Sequence, residues 1–155
     1  MNISEIKIGT GLGDIKFGIS REDLKKIAGE PTEIDTFNAS GDEDEYLTES
    51  WHYDEQEFSV SFDEEDNWRL TTISTSSENA ILGEKLIGKS IDEVLSVLDK
   101  INLGDNELED LSDETINQKL ICFIASSLNL WFEDDILSEI QWGVLWSDED
   151  TPKWP

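Results

Sequence analysis

The chain has 155 residues, with 11 Lys and Arg against 37 Asp and Glu, a formal net charge of -26 at pH 7, and 37% hydrophobic residues including six Trp and six Phe. So many large apolar side chains exclude a disordered chain, and so acidic a balance excludes direct binding to nucleic acid or to an anionic membrane, both of which it repels. The single cysteine, Cys122, forbids an intrachain disulfide, and MNISEIKIGTGLGDIKFG lacks the basic start and apolar core of a signal peptide, so a cytoplasmic location is expected.

In chain order, EIKIG reads as a short strand leading to a helix that opens at Ser20. Serine there is an N-cap, Glu22 and Asp23 follow in the first turn, and Leu24, Ile27 and Ala28 form one apolar face. Gly29 followed by Pro31 ends the helix. The polar stretch IDTFNASGDEDEYLT reads as a loop or poorly ordered edge. The period then changes to two: Trp51 and Tyr53, a turn at DEQ, Phe58, Val60 and Phe62, a turn at DEED, and WRLTTISTS make a three-stranded meander. ENAIL begins a second series, in which Ser90-Ile91-Asp92-Glu93 is a full capping box before Val94, Leu95 and Leu98. INLGDNELEDLSDETINQ again reads as a loop, and KLICFIAS, LNLWF and ILSEIQWGVLW read as three further strands.

These two series keep register at an offset of 70 residues, which places Gly18 on Gly88, Ser20 on Ser90, Phe58 on Leu128 and Phe62 on Phe132. After the acidic turn the offset falls to 67, which pairs Leu70 with Leu137 and Ile73 with Ile140. Polar turn and cap residues keep the register along with the apolar ones, as an internal repeat does. The expected fold class is therefore α+β: two tandem helix-plus-antiparallel-meander repeats, about 3–76 and 80–146, forming one sheet with helices on one face. Residues 1–155 are expected to make a single domain, closed by the short acidic C-terminal tail SDEDTPKWP.

One helix per unit covers one sheet face only, so the other face is expected to be open. With Trp51, Tyr53, Phe58, Val60 and Phe62 toward the helix, His52, Ser59 and Ser61 point away, matched by Cys122, Asn129 and Trp131. An exposed Trp131 beside small polar residues suits a protein-binding surface; the alternative is that the C-terminal tail covers it. Residues 41 to 66 hold twelve acids and no Lys or Arg. The candidate partner-binding residues are Asp42, Glu43, Asp44 and Glu45, then His52, then Asp63, Glu64, Glu65 and Asp66, and Trp131.

Catalysis finds little support. His52 and Cys122 are the only residues of their kinds and would have to meet across the joint between repeats. Too few soft ligands exist for zinc, and DEDE, DEED and EDD lack the spaced calcium-loop pattern, so no metal or cofactor is expected. Gly11-Leu12-Gly13 with Gly18 lacks the Lys-Ser/Thr of a phosphate loop.

The pattern of Gly18-x-Ser20 and Gly88-x-Ser90 opening a helix, Gly29-x-Pro31 closing one, and a short meander following resembles the tandem unit of beta-lactamase inhibitor protein and of the SmpA/OmlA lipoprotein family. That resemblance implies one curved sheet whose concave face holds a target enzyme. In overall type, a small acidic chain ending in IQWGVLWSDEDTPKWP also resembles the immunity proteins of bacterial polymorphic toxin systems. The expectation is a non-catalytic inhibitor that neutralises a basic, nuclease-like toxin domain, because an acidic partner is steered to a basic one and can fill a groove made for phosphates. The alternatives are a DNA mimic or adaptor acting on another protein and, more distantly, an enzyme of unknown type.

Overall fold

A computed structural model describes residues 3–38, 47–148 and 151–155. Eight antiparallel strands form its main sheet: β1 (Glu33–Phe37), β2 (Thr48–Tyr53), β3 (Phe58–Asp63), β4 (Arg69–Thr75), β5 (Glu107–Asp110), β6 (Gln118–Phe123), β7 (Leu128–Glu133) and β8 (Ile136–Gly143). Their order across the sheet is β5-β6-β7-β8-β4-β3-β2-β1. Two helices of eight residues each, α1 (Arg21–Ala28) and α2 (Ile91–Leu98), accompany it. The described residues also form two-residue ladders, at Ile6–Lys7, Gly11–Leu12 and Ile15–Lys16, at Ile81–Leu82 with Glu84–Lys85, and at Leu145–Trp146 with Pro152–Lys153.

This corrects the expected α+β class. The molecule is predominantly β, one long antiparallel sheet with two short helices, and not a pair of helix-plus-three-strand repeats. The polar stretches read as loops or poorly ordered edges supply β1, from Ile34 on, and β5, the two edge strands. Every residue of β1 and β5 is exposed, so neither shows the buried alternation by which a strand is recognised. They form because an extended backbone beside β2 or β6 pairs its N–H and C=O groups whatever its side chains face.

Locally, the cap chemistry forms as the residues dictate. Ser20 Oγ accepts the Asp23 N–H at 3.1 Å and Ser90 Oγ accepts the Glu93 N–H at 3.3 Å. Gly29 stops α1 with φ of 81°, a conformation that suits glycine. Asp134 and Asp135, with φ of 52° and 64°, make the two-residue turn between Glu133 and Ile136, as a tight hairpin requires.

Among the described residues, both helices and the N-terminal ladder cover the same side. Leu24 of α1 and Val94 and Leu98 of α2 are buried, and Tyr53 on β2 donates its hydroxyl proton to the Gly29 carbonyl at 3.0 Å. Trp142 on β8, 1% exposed, donates its indole N–H to the Gly11 carbonyl at 3.1 Å, which places the N-terminal ladder over the middle of the same face. Trp51, Tyr53, Phe58, Val60, Phe62 and Ile73 form one half of the core, and Ile121, Phe123, Leu128, Leu130, Phe132 and Ile140 the other. A single antiparallel seam between β4 and β8, Ile140 opposite Thr75 through Gly143 opposite Thr72, joins them.

Candidate functional site: the open sheet face

The residues alternating with that core define the opposite face. One cross-strand row runs through all eight strands in register: Glu33, His52, Ser59, Ser74, Gln141, Asn129, Cys122 and Glu107. A neighbouring row holds Asp35, Ser50, Ser61, Thr72 and Gly143. Hydroxyls and amides thus occupy the middle of these two rows and carboxylates their outer ends, Glu33 and Asp35 on β1 and Glu107 on β5, with Glu109 on β5 and Glu139 on β8 in the row beyond. A surface of short polar side chains framed by acids is hydrogen-bonding and negative at its rim.

His52 lies second from one edge and Cys122 second from the other, about 24 Å apart across five strand spacings of ~4.8 Å. They cannot form a nucleophile and base. Burial pushes the Cys122 thiol above its usual range, with Glu109 and Glu107 adding to the rise, so it stays protonated and weakly nucleophilic. His52 instead clips the edge strand: Nδ1 lies 2.8 Å from Ser59 Oγ on β3, and Nε2 lies 3.0 Å from Asp35 Oδ2 on β1. Serine, imidazole and carboxylate are in line here, but the hollow beside Ser59 is lined by Asp54, Glu57 and Glu139, whose charges would repel a developing oxyanion.

The other sequence-selected residues separate by role. Asp42, Glu43, Asp44 and Glu45 lie outside the described residues. Asp63 accepts the hydroxyl protons of Thr48 at 2.7 Å and Thr71 at 2.6 Å, and Glu64 accepts the Leu47 N–H at 3.1 Å, so both carry internal bonds. Glu65 is exposed in the short 3-10 turn that follows β3. Asp66 in the same turn is shifted above its usual range by burial, then by the charges of Asp63 and Glu65, against a lowering by Arg69. Trp131 is on the open face but half-buried, between Leu120 and Glu139. The tail's Trp154 lies elsewhere, with the Arg69 guanidinium 3.9 Å from its ring centroid. Among the described residues no three His, Cys, Asp or Glu side chains converge as a metal site.

Sequence reasoning missed a cleft of about 400 Å³ at one end of the open face. Asp63, Thr72, Asn129, Gln141, Gly143 and Trp146 line it. Gly143 contributes no side chain to its row, which leaves a hollow between Thr72 and the amides, and a Cβ there would meet the Thr71 carbonyl oxygen at 3.1 Å. Trp146, 44% exposed, lines the cleft as an aromatic wall. A glycine in a run of β-rich residues followed by an exposed tryptophan was the available signal, since glycine inside a strand marks a bulge or a close approach.

No protein-family model matches the chain, and no curated protein is similar to it in sequence. Among solved structures it is similar to an extracellular protein containing an SCP domain from Bacillus anthracis str. Ames, with a TM-score of 0.46 and 19% identity over 82% of this chain. The match spans 43% of that protein's length. A likeness of this degree carries nothing about function.

Proposed function

We propose that the chain is a non-catalytic binding protein whose open sheet face receives a basic protein, and that it acts as an immunity-type inhibitor of a toxin domain. The observation that carries this reading is the eight-strand row of hydroxyls, amides, His52 and Cys122, which α1, α2 and the N-terminal ladder leave uncovered among the described residues by packing on the other side. Carboxylates on both outer strands and a net charge of -26 suit a cationic partner, attracting it over distances of about a Debye length and orienting it on the face. A nuclease-like toxin domain has such a surface, and an acid-rimmed protein seated on it would exclude its substrate.

The test is a steric block at the centre of the face. Ser59→Arg and Ser74→Arg stand in the middle row, whereas Glu22→Arg and Asp92→Arg stand on exposed helix positions. Calorimetry with the cognate domain, sought among the products of neighbouring genes, should show binding lost in the first pair and largely kept in the second, with unfolding midpoints confirming that all four fold. Binding lost only in the helix variants, or an acidic cognate partner, would overturn the reading.

A further inference from the structure

One row of the open face differs in chemistry from the polar rows beside it. Glu109 on β5, Leu120 on β6, Trp131 on β7 and Glu139 on β8 are cross-strand partners in register, an apolar pair with an acid at each end. Ile136, 41% exposed and opposite Glu133, extends the apolar area toward the turn between β7 and β8. The fold does not demand this composition. In the β2–β3 ladder the corresponding pair, third from the end at Thr48 and Asp63, is Ser50 opposite Ser61, whose hydroxyls lie 3.0 Å apart. The ring of Trp131 also stands at a register shift, where β8 carries Ser138 as an extra residue beside Glu139 and Ser138 Oγ donates to the Trp131 carbonyl at 3.0 Å. Such bulges re-aim a side chain. Lys119 alternates to the other face, where Asp135 holds it at 2.6 Å, and Glu109 and Glu139 have no ion pair among the described residues.

We propose that this row receives an extended segment of the partner with the pattern cation-x-apolar-x-cation, laid across β5 to β8. It rests on the reading of the open face as the binding surface and adds the chemistry of what is bound there. Glu109 and Glu139 stand about 14 Å apart, across three strand spacings of ~4.8 Å. An extended chain advances ~3.4 Å per residue, so its side chains at i and i+4 stand on one side about 14 Å apart, with i+2 midway between them. The outer two then meet the acids while the middle one lies on Leu120 and Trp131. Apolar burial supplies the affinity, and the acids supply register and rate of encounter. A lone apolar ligand leaves both carboxylates unmatched, and a purely cationic one leaves Trp131 and Ile136 in water.

Nuclear magnetic resonance on the full chain tests it with four peptides at millimolar concentration. The first is acetyl-Lys-Thr-Leu-Thr-Lys-amide; the second has serine for leucine, the third has glutamate for both lysines, and the fourth is acetyl-Thr-Lys-Leu-Lys-Thr-amide, with its cations next to the leucine. The expected result is saturable shifts of the Trp131 indole N–H and of the Leu120 and Ile136 methyls with the first, weaker shifts with the second and fourth, and none with the third. Leu120→Ser combined with Trp131→Ser, which writes the serine pair of the other ladder into this one, should abolish the response to the first peptide. Glu109→Gln combined with Glu139→Gln should weaken that peptide by roughly two- to tenfold and flatten its salt dependence, and this pair decides if the serine variant fails to fold. Equal binding of the first and fourth peptides, equal binding of the serine peptide, strongest binding of the acidic one, or no shifts at this row would overturn the assignment. If the row ignores the first peptide while Ser59→Arg still abolishes binding of the cognate domain, the row is refuted and the binding face stands.

Discussion

Removing one hydroxyl tests how α1 is fastened to the sheet. Tyr53 stacks on Phe58 with ring centroids 4.7 Å apart and is 2% exposed, while its hydroxyl binds the carbonyl of exposed Gly29. Burial, and then the charge of Glu30, push its pKa up to about 12 from 10.0. Because the folded value is the higher one, the unfolded chain ionises first. The stabilisation is complete below pH 10 and is lost as the pH rises from 10 toward 12. A shift of about two units corresponds to a ceiling of roughly 2.7 kcal/mol, and water at the Gly29 end screens the hydroxyl, so about 1–2 kcal/mol is the expected span. Tyr53→Phe should cost about 1 kcal/mol at pH 7 through the lost hydrogen bond. The wild type's advantage should then shrink by about 1–2 kcal/mol between pH 9 and pH 11.5, since the variant has nothing to ionise there. Urea unfolding of both proteins at several pH values, followed by tryptophan fluorescence, gives this difference, in which Tyr46 and the lysines cancel. A difference that stays constant across that range would show that the hydroxyl is solvated and that the Gly29 bond does not hold the helix.

Ser90→Ala should cost about 1 kcal/mol by removing the acceptor for the Glu93 N–H, read as a lowered urea midpoint. Asp66→Asn should raise stability at pH 7, because burial and the neighbouring charges of Asp63 and Glu65 disfavour its charged form. The wild type should recover that difference as the pH falls through the raised folded value toward 3.8, which a urea series at pH 7 and pH 4 would detect. Neutralising Asp42, Glu43, Asp44 and Glu45 together should slow association with a basic partner and flatten its salt dependence. Trp131→Ala should instead speed dissociation, with a loss of about 2 kcal/mol if that half-buried ring is central to the interface, and surface-binding kinetics separate the two effects.

What could be read from the residues alone follows how each signal is encoded. Ser20 and Ser90 announced their helices because an N-cap is a contact between residues three apart. The alternation of Trp51, Tyr53, Phe58, Val60 and Phe62 announced which way β2 and β3 face, because burial on one side leaves a period of two. Neither Glu33–Phe37 nor Glu107–Asp110 carries that mark, since an edge strand with exposed side chains is held by backbone bonds that any sequence can make. Asp63 was selected for its charge, but its commitment to Thr48 and Thr71 depends on strand pairing and on the register shift after Ser61. The cleft was hidden for the same reason. Gly143, Asn129 and Thr72 meet there from three strands, and only the seam between β4 and β8 makes them neighbours.

The seam also determines what a broken chain would do. Acidic side chains are concentrated on the outer strands, where Glu33, Asp35, Glu107, Glu109 and Asp110 discourage a second molecule from extending the sheet. The two strands that meet in the middle lack that protection: β4 reads RLTTIST with no acid, and β8 has Glu139 alone. Cleavage in the connection between Thr75 and Ile81 followed by separation of the halves would turn each guarded interior strand into an unguarded margin. Each fragment would then present a ladder of unpaired backbone groups beside apolar side chains. The intact chain is kept soluble at its margins by residues that neither half could place where its new margin would be.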